Sequence, residues 1–281
     1  GVCVQTCDGA EATVRQLPSG RIAMENDVVR LTFNPDQGVW PGFEGGIQSW
    51  HYKPTKVEMV DFQAPGFARN MNGHIFTIHG HPTQVFNLAR MGVDPDTGAA
   101  GCLLVKDAEG QRHWLRLVLR AGSAVLEATF GQTNESGSPR KNSLKLHNLL
   151  CPGARDGTYQ LGDVAYYPTE EGIATIEQKP HAEVDMGLFE APERHRFPAK
   201  PWKVKPWLRQ DVPALSAFWQ GLITPSTKDG FVFLNDTEET AQLLSWVGES
   251  IMTTEQKTRA CLLGRGESWQ MTVTVGGFSG M

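Results

Sequence analysis

Val28-Val29-Arg30-Leu31-Thr32-Phe33, entered from Asn26-Asp27 and left through Asn34-Pro35, sets a pattern that recurs along the chain. Apolar Val29, Leu31 and Phe33 alternate with Arg30 and Thr32, and turn-forming residues bound the run at both ends, which is the signature of a strand. A period of two lets one face be buried while the other meets solvent or a second sheet. Ile75-Phe76-Thr77-Ile78, Trp114 to Leu119, Val125 to Phe130, Phe231-Val232-Phe233-Leu234 and Trp269 to Val275 have the same character. No long segment carries a convincing 3.6-residue stripe. The links Arg120-Ala121-Gly122-Ser123 and Asn134-Glu135-Ser136-Gly137-Ser138-Pro139 are polar and hairpin-like. The class expected is all-β, a large antiparallel β-sandwich.

Length and composition agree with one extended core. The chain has 281 residues, 40% of them apolar and 20% charged, and sandwiches commonly reach roughly 250 residues without dividing. The expected division is an N-terminal tail over 1–20 and a single sandwich domain over 21–281. No fixed-period repeat suggests a propeller or solenoid. The stretch 189–213 is irregular, with Pro192, Pro198, Pro201, Pro206 and Pro213 beside Trp202 and Trp207, and proline confines it to an edge, a loop or a lid.

The formal charge of −5 offers no basic stripe for a phosphate backbone, so nucleic acid is not an expected partner. No apolar run approaches the roughly 20 residues needed to cross a bilayer, and no membrane association is expected. Gly1 in place of Met fits a processed exported chain or a trimmed one equally, so a secreted or periplasmic location is an expectation left open. The oligomeric state is not legible. Of the five cysteines, Cys3 and Cys7 are spaced for a small-loop disulfide in an exported protein. Cys102, Cys151 and Cys261 stand among apolar residues, where core packing is expected.

A series of short motifs resembles the galactose mutarotase-like (aldose 1-epimerase-like) supersandwich family. Met24 to Pro35 followed by Gly45-Gly46-Ile47-Gln48-Ser49-Trp50 looks like its opening strands. Ala68-Arg69-Asn70-Met71-Asn72-Gly73-His74 and the strand that follows are similar to the segment carrying its substrate-binding arginine. Leu126 to Gly137 resembles the central strand and asparagine turn, Ser143-Leu144-Lys145-Leu146-His147 the strand delivering a catalytic histidine, and Leu263 to Trp269 the turn before the last strand. The order of these motifs spans most of the chain. The family's Leu-His-Gly-Gly motif is missing after Asn87, and Glu255-Gln256 stands where the family has Glu-x-Gln.

The resemblance implies a carbohydrate ligand and no cofactor. Opening a sugar ring at its anomeric carbon needs a base for the hydroxyl proton and an acid for the ring oxygen. His147 and Glu255 are the candidates, against the plainer reading of a core histidine and a solvated strand carboxylate. Arg69 is suited to sugar hydroxyls or, bidentately, a uronate carboxylate. His74, His79 and His81 form the densest histidine cluster, expected to contact sugar. His79 and His81 also sit at i and i+2, competent for a metal in a cupin-like alternative if a third ligand converged; no metal is the leading expectation. Trp202 and Trp207 are candidate walls for a pyranose face. The altered epimerase motifs keep other readings open: a polysaccharide lyase or hydrolase on the same fold, with Tyr166 or Tyr167 joining His147, or a non-catalytic carbohydrate-binding module.

Overall fold

In the computed structural model, which describes residues 11–35, 43–63, 72–79, 86–154, 162–178, 193–198, 214–248 and 251–280, the sequence alternation becomes alternating burial. The strands are β1 (Thr13–Gln16), β2 (Ile22–Glu25), β3 (Val29–Phe33), β4 (Phe43–Glu44), β5 (Ile47–Tyr52), β6 (Val57–Glu58), β7 (His74–His79), β8 (Asn87–Val93), β9 (Ala100–Ala108), β10 (Gln111–Leu119) and β11 (Val125–Asn134). They continue as β12 (Arg140–Asn142), β13 (Lys145–Leu149), β14 (Val164–Thr169), β15 (Gly172–Glu177), β16 (Glu193–Pro198), β17 (Trp219–Thr224), β18 (Asp229–Asn235), β19 (Thr240–Gly248), β20 (Ile251–Thr258), β21 (Cys261–Leu263) and β22 (Ser268–Phe278). No helix occurs among the described residues.

Two large sheets hold nearly all of these strands. The first runs β1-β2-β3-β5-β7-β13-β20-β19-β16, with β4 on β7 and β6 on β5. The second runs β15-β14-β17-β18-β22-β11-β10-β9-β8, and β12 with β21 forms a separate pair. Every pairing is antiparallel, so strands that are consecutive in both chain and sheet, such as β9, β10 and β11, need only turns between them.

The sheets face each other across one apolar core. Trp50 of β5 meets Phe231 of β18 edge to face at 5.4 Å, and Phe76 of β7 meets Phe130 and Phe233 at 5.7 and 5.9 Å. Trp50, Phe76, Phe231 and Phe233 are all buried, and such side chains contribute roughly 1.5–3 kcal/mol each by leaving water. Cys102 and Cys151 are buried and Cys261 packs partly buried against the core, as expected for small apolar side chains.

Two stretches outside the main run of strands also enter the first sheet. The first sheet begins inside the stretch 1–20 read as a tail, because Leu17 and Gly20 close a turn that folds β1 back onto β2. Its single inward residue, Val14, packs on the core, a pattern too short to read as a strand from sequence. Within 189–213, β16 pairs with β19 at the edge of the first sheet. There Pro198 ends the strand, where a missing N–H costs the ladder least.

Candidate functional site

Cross-strand partners in an antiparallel sheet project to the same side. In the first sheet, Ile78, Leu146, Gln256 and Leu243 form one row, and Ile78, Leu146 and Leu243 belong to the core. The adjacent row, Thr77, His147, Glu255 and Leu244, therefore lies on the face turned away from the second sheet. His147 and Glu255 are direct neighbours across β13 and β20. Their side chains are only 8% and 5% exposed, with His147 Nε2 3.8 Å from Glu255 Oε1.

A bulge adds a third member to this group. Between His147 and Leu149, β13 spans one residue while β7 spans two, so Thr77 opposes His147 but His74 opposes Leu149. The extra residue reverses the parity of β7 and brings His74 onto the face of His147. Phe76 absorbs the geometry with φ of 62°, and its N–H donates to Asn148 Oδ1 at 2.8 Å. Asn148 Nδ2 donates in turn to the Thr254 carbonyl at 2.9 Å and to Gln256 Oε1 at 3.2 Å, tying β7, β13 and β20 together beneath the site. Gly73 lets the chain enter β7, since a Cβ there would fall 1.9 Å from the Val60 carbonyl oxygen.

His74 is fully buried, its ring inclined by 27° to that of His147 at 5.1 Å between centroids. Its Nδ1 lies 2.9 Å from the Asn72 carbonyl oxygen, and its Nε2 lies 2.8 Å from His147 Nδ1. Burial pushes the His74 imidazole down to about 4, an effect that the Asn72 bond only partly offsets. The group is neutral at pH 7. Glu255 is held by an ion pair from Lys145 Nζ to Oε2 and by the Thr253 hydroxyl, which donates to Oε1 at 3.2 Å. Lys145 is 30% exposed and links the cluster to the surface. A buried carboxylate is tolerated when so paired.

The structure thus brings His147, Glu255 and His74 together. Arg69, His81, Trp202 and Trp207, and the side chain of His79, lie outside the described residues, as do Cys3 and Cys7. Among the described residues, no group of three or more His, Cys, Asp or Glu side chains is arranged to hold a metal ion. Tyr167 does not join His147. It lies in the core, and its hydroxyl is 2.5 Å from Ser245 Oγ on the opposite face of the sheet. Sequence reasoning missed Lys145 and Asn148, both of which lie in the segment quoted for His147 or next to it. A groove of about 510 Å³ along Arg90, Gly101 and Arg116 lies on the second sheet, and no histidine lines it.

Comparison with solved structures identifies the architecture. A galactose mutarotase-like protein from Clostridium acetobutylicum superposes with a TM-score of 0.55, covering 97% of this chain and 100% of that one at 11% identity. The chain has the galactose mutarotase-like fold. A galactose mutarotase related enzyme from Lactobacillus acidophilus matches this sandwich with a TM-score of 0.54 at 12% identity, over 93% of this chain and 98% of that one. A GH36 alpha-galactosidase from Geobacillus stearothermophilus matches with a TM-score of 0.52 at 11% identity, over 95% of this chain and 41% of that one. No family profile matches the sequence, and no curated protein matches it. At these identities the mutarotase-like likeness is one of fold, and a fold does not fix a reaction.

Proposed function

We propose that the chain is a carbohydrate-active enzyme of the aldose-epimerase type, acting on a sugar or uronic-acid-containing glycan at His147 and Glu255. The adjacency of these two side chains, buried together on the outer face of the first sheet, carries the proposal. Mutarotase-like and galactosidase names among its structural neighbours support a sugar as ligand.

The reaction needs a proton given and a proton taken. The carboxylate of Glu255 removes the anomeric hydroxyl proton while protonated His147 delivers its Nε2 proton to the ring oxygen. The bond between the anomeric carbon and the ring oxygen breaks, leaving an aldehyde and a ring hydroxyl. Rotation and the reverse transfers close the ring with the other anomer. Arg69 is assigned to substrate hydroxyls or a uronate carboxylate, and Trp202 and Trp207 to the sugar's apolar face.

The test is a panel of aldoses and uronic-acid polymers, read by anomer interconversion and by absorbance of unsaturated products. Interconversion is expected, with His147→Ala and Glu255→Gln each reducing it by roughly 10²–10⁴-fold, the range of general acid-base contributions. An activity that survives His147→Ala refutes the assignment. The ion pair between Lys145 and Glu255 favours a second reading, a binding module whose carboxylate is occupied. Sugar binding without turnover across the panel is its signature.

A further inference from the structure

We propose that His74 is a positioning residue that fixes the tautomer of His147, directing the Nε2 lone pair of neutral His147 toward the site. The inference rests on the acid-base reading of His147 and adds a residue that reading does not use.

The assignment follows from a chain of donors and acceptors with a fixed end. A backbone carbonyl only accepts, so at the 2.9 Å contact with Asn72 the proton must sit on His74 Nδ1. Neutral His74 then carries its lone pair on Nε2. The 2.8 Å contact to His147 Nδ1 is therefore made by a proton on His147. Neutral His147 holds its one ring proton on Nδ1, and Nε2, which faces Glu255 Oε1, carries the lone pair. A histidine's ring nitrogens are set by the partner that the other nitrogen makes.

His74 suits this task because it does not compete for the proton. When His147 Nε2 takes a proton, the imidazolium keeps its Nδ1 hydrogen bond to His74 and lies beside the Glu255 carboxylate. Burial opposes a second proton on His74, so the charge stays on His147. Among the described residues, the charged groups near His147 are Glu255 from β20 and, paired to Glu255, Lys145 from its own strand, with Lys257 opposite Lys145 in the next outward-facing row. Tyr167 approaches from the second sheet but ends at Ser245, behind the site. The bulge at Phe76 makes the contact possible, since a regular β7 would turn His74 to the other face.

Long-range ¹H–¹⁵N correlation of the full ¹⁵N-labelled chain at pH 7 reads both tautomers without any sugar. The expected result is Nδ1–H for His74 and for the neutral form of His147, while the imidazolium form of His147 keeps that Nδ1–H and adds a proton on Nε2. In His74→Leu, which removes the acceptor, His147 is expected to move to the Nε2–H form; His74→Gln, which restores one, is expected to retain Nδ1–H. Unfolding curves show whether each variant is folded, and the wild-type spectrum needs no variant at all. An Nε2–H His147 in the wild type, or an unchanged tautomer in folded His74→Leu, overturns the proposal. For anomer interconversion, kcat is expected to fall in His74→Leu by the roughly 10- to 100-fold that an orienting partner is worth elsewhere, with KM little changed and recovery in His74→Gln. A wild type without turnover refutes the epimerase reading, while the tautomer measurement still decides the role of His74.

Discussion

Replacing Asn148 with Leu tests whether the site and the sheet are held by the same side chain. Asn148 is fully buried; it accepts from the Phe76 N–H at 2.8 Å and donates to the Thr254 carbonyl and to Gln256. Leucine has the same number of side-chain heavy atoms in a bulkier branch, so no cavity is left and the polar losses are joined by some overpacking. The Phe76 N–H loses its partner inside the sandwich, which costs about 1–3 kcal/mol. Thr254 O and Gln256 Oε1 each lose a donor, and carbonyl oxygens tolerate this better than N–H groups do. The expected loss is about 2–4 kcal/mol, or roughly 3–7 °C in Tm for a chain of this size. Urea unfolding followed by tryptophan fluorescence measures it. Because the same bond holds the bulge that presents His74, the ring-nitrogen shifts of His74 and His147 are expected to change as well. A loss below about 1 kcal/mol, or a destabilised protein with unaltered histidine shifts, refutes the reasoning.

Other expectations follow from single groups. Burial pushes the Asp163 carboxyl from 3.8 up to about 7, although the Thr224 hydroxyl and Cys151 both act to lower it. A raised folded-state pKa means stability that is complete below the unfolded value and lost as pH climbs through the folded one. Wild-type stability should therefore decline between about pH 4 and 7 by up to about 4 kcal/mol from this group. Asp163→Asn should remove that slope, gaining most at pH 8 and converging with wild type near pH 4; parallel denaturation profiles would sink the assignment. Gly73→Ala sets a methyl group against the backbone oxygen of Val60, which cannot swing aside as a side chain would. Equilibrium unfolding should show a loss of about 3 kcal/mol or more, and a neutral result would mean that this entry into β7 is far softer than it looks.

The strands were legible because burial on one face needs only a local pattern. Val28 to Phe33 contains β3, Trp269 to Val275 lies within β22, and the other quoted runs fall inside observed strands. Their partners were not legible. His147 lies opposite Glu255 because β13 and β20 pair, and the intervening strands β14 to β19 carry no local mark of that register. Without a resemblance to suggest both residues, neither side chain alone would have named the other. His74 was read as a sugar contact from its place beside Arg69, whereas both of its ring nitrogens have partners inside the protein. The missing information was the bulge, centred on a phenylalanine with positive φ, a conformation that its sequence does nothing to announce.

Along β13 the period of two assigns successive residues to separate tasks. Leu146 and Asn148 turn inward, one to the core and one to the bulge, while Lys145 and His147 turn outward to Glu255 and His74. A slip of one residue in the pairing of β13 with β20 would bury the charges and expose the leucine, so the hydrophobic register of the sandwich also fixes the placement of His147 against Glu255. The bulge in β7 is a local exception to that alternation. It changes the face of His74 without disturbing Ile78, which stays in the core beside Leu146. Asn148 stabilises this exception from the inner side of the sheet. The arrangement of His147, Glu255 and His74 on the outer face therefore depends on a fully buried amide on the inner one, and variants on the two faces should be coupled rather than additive.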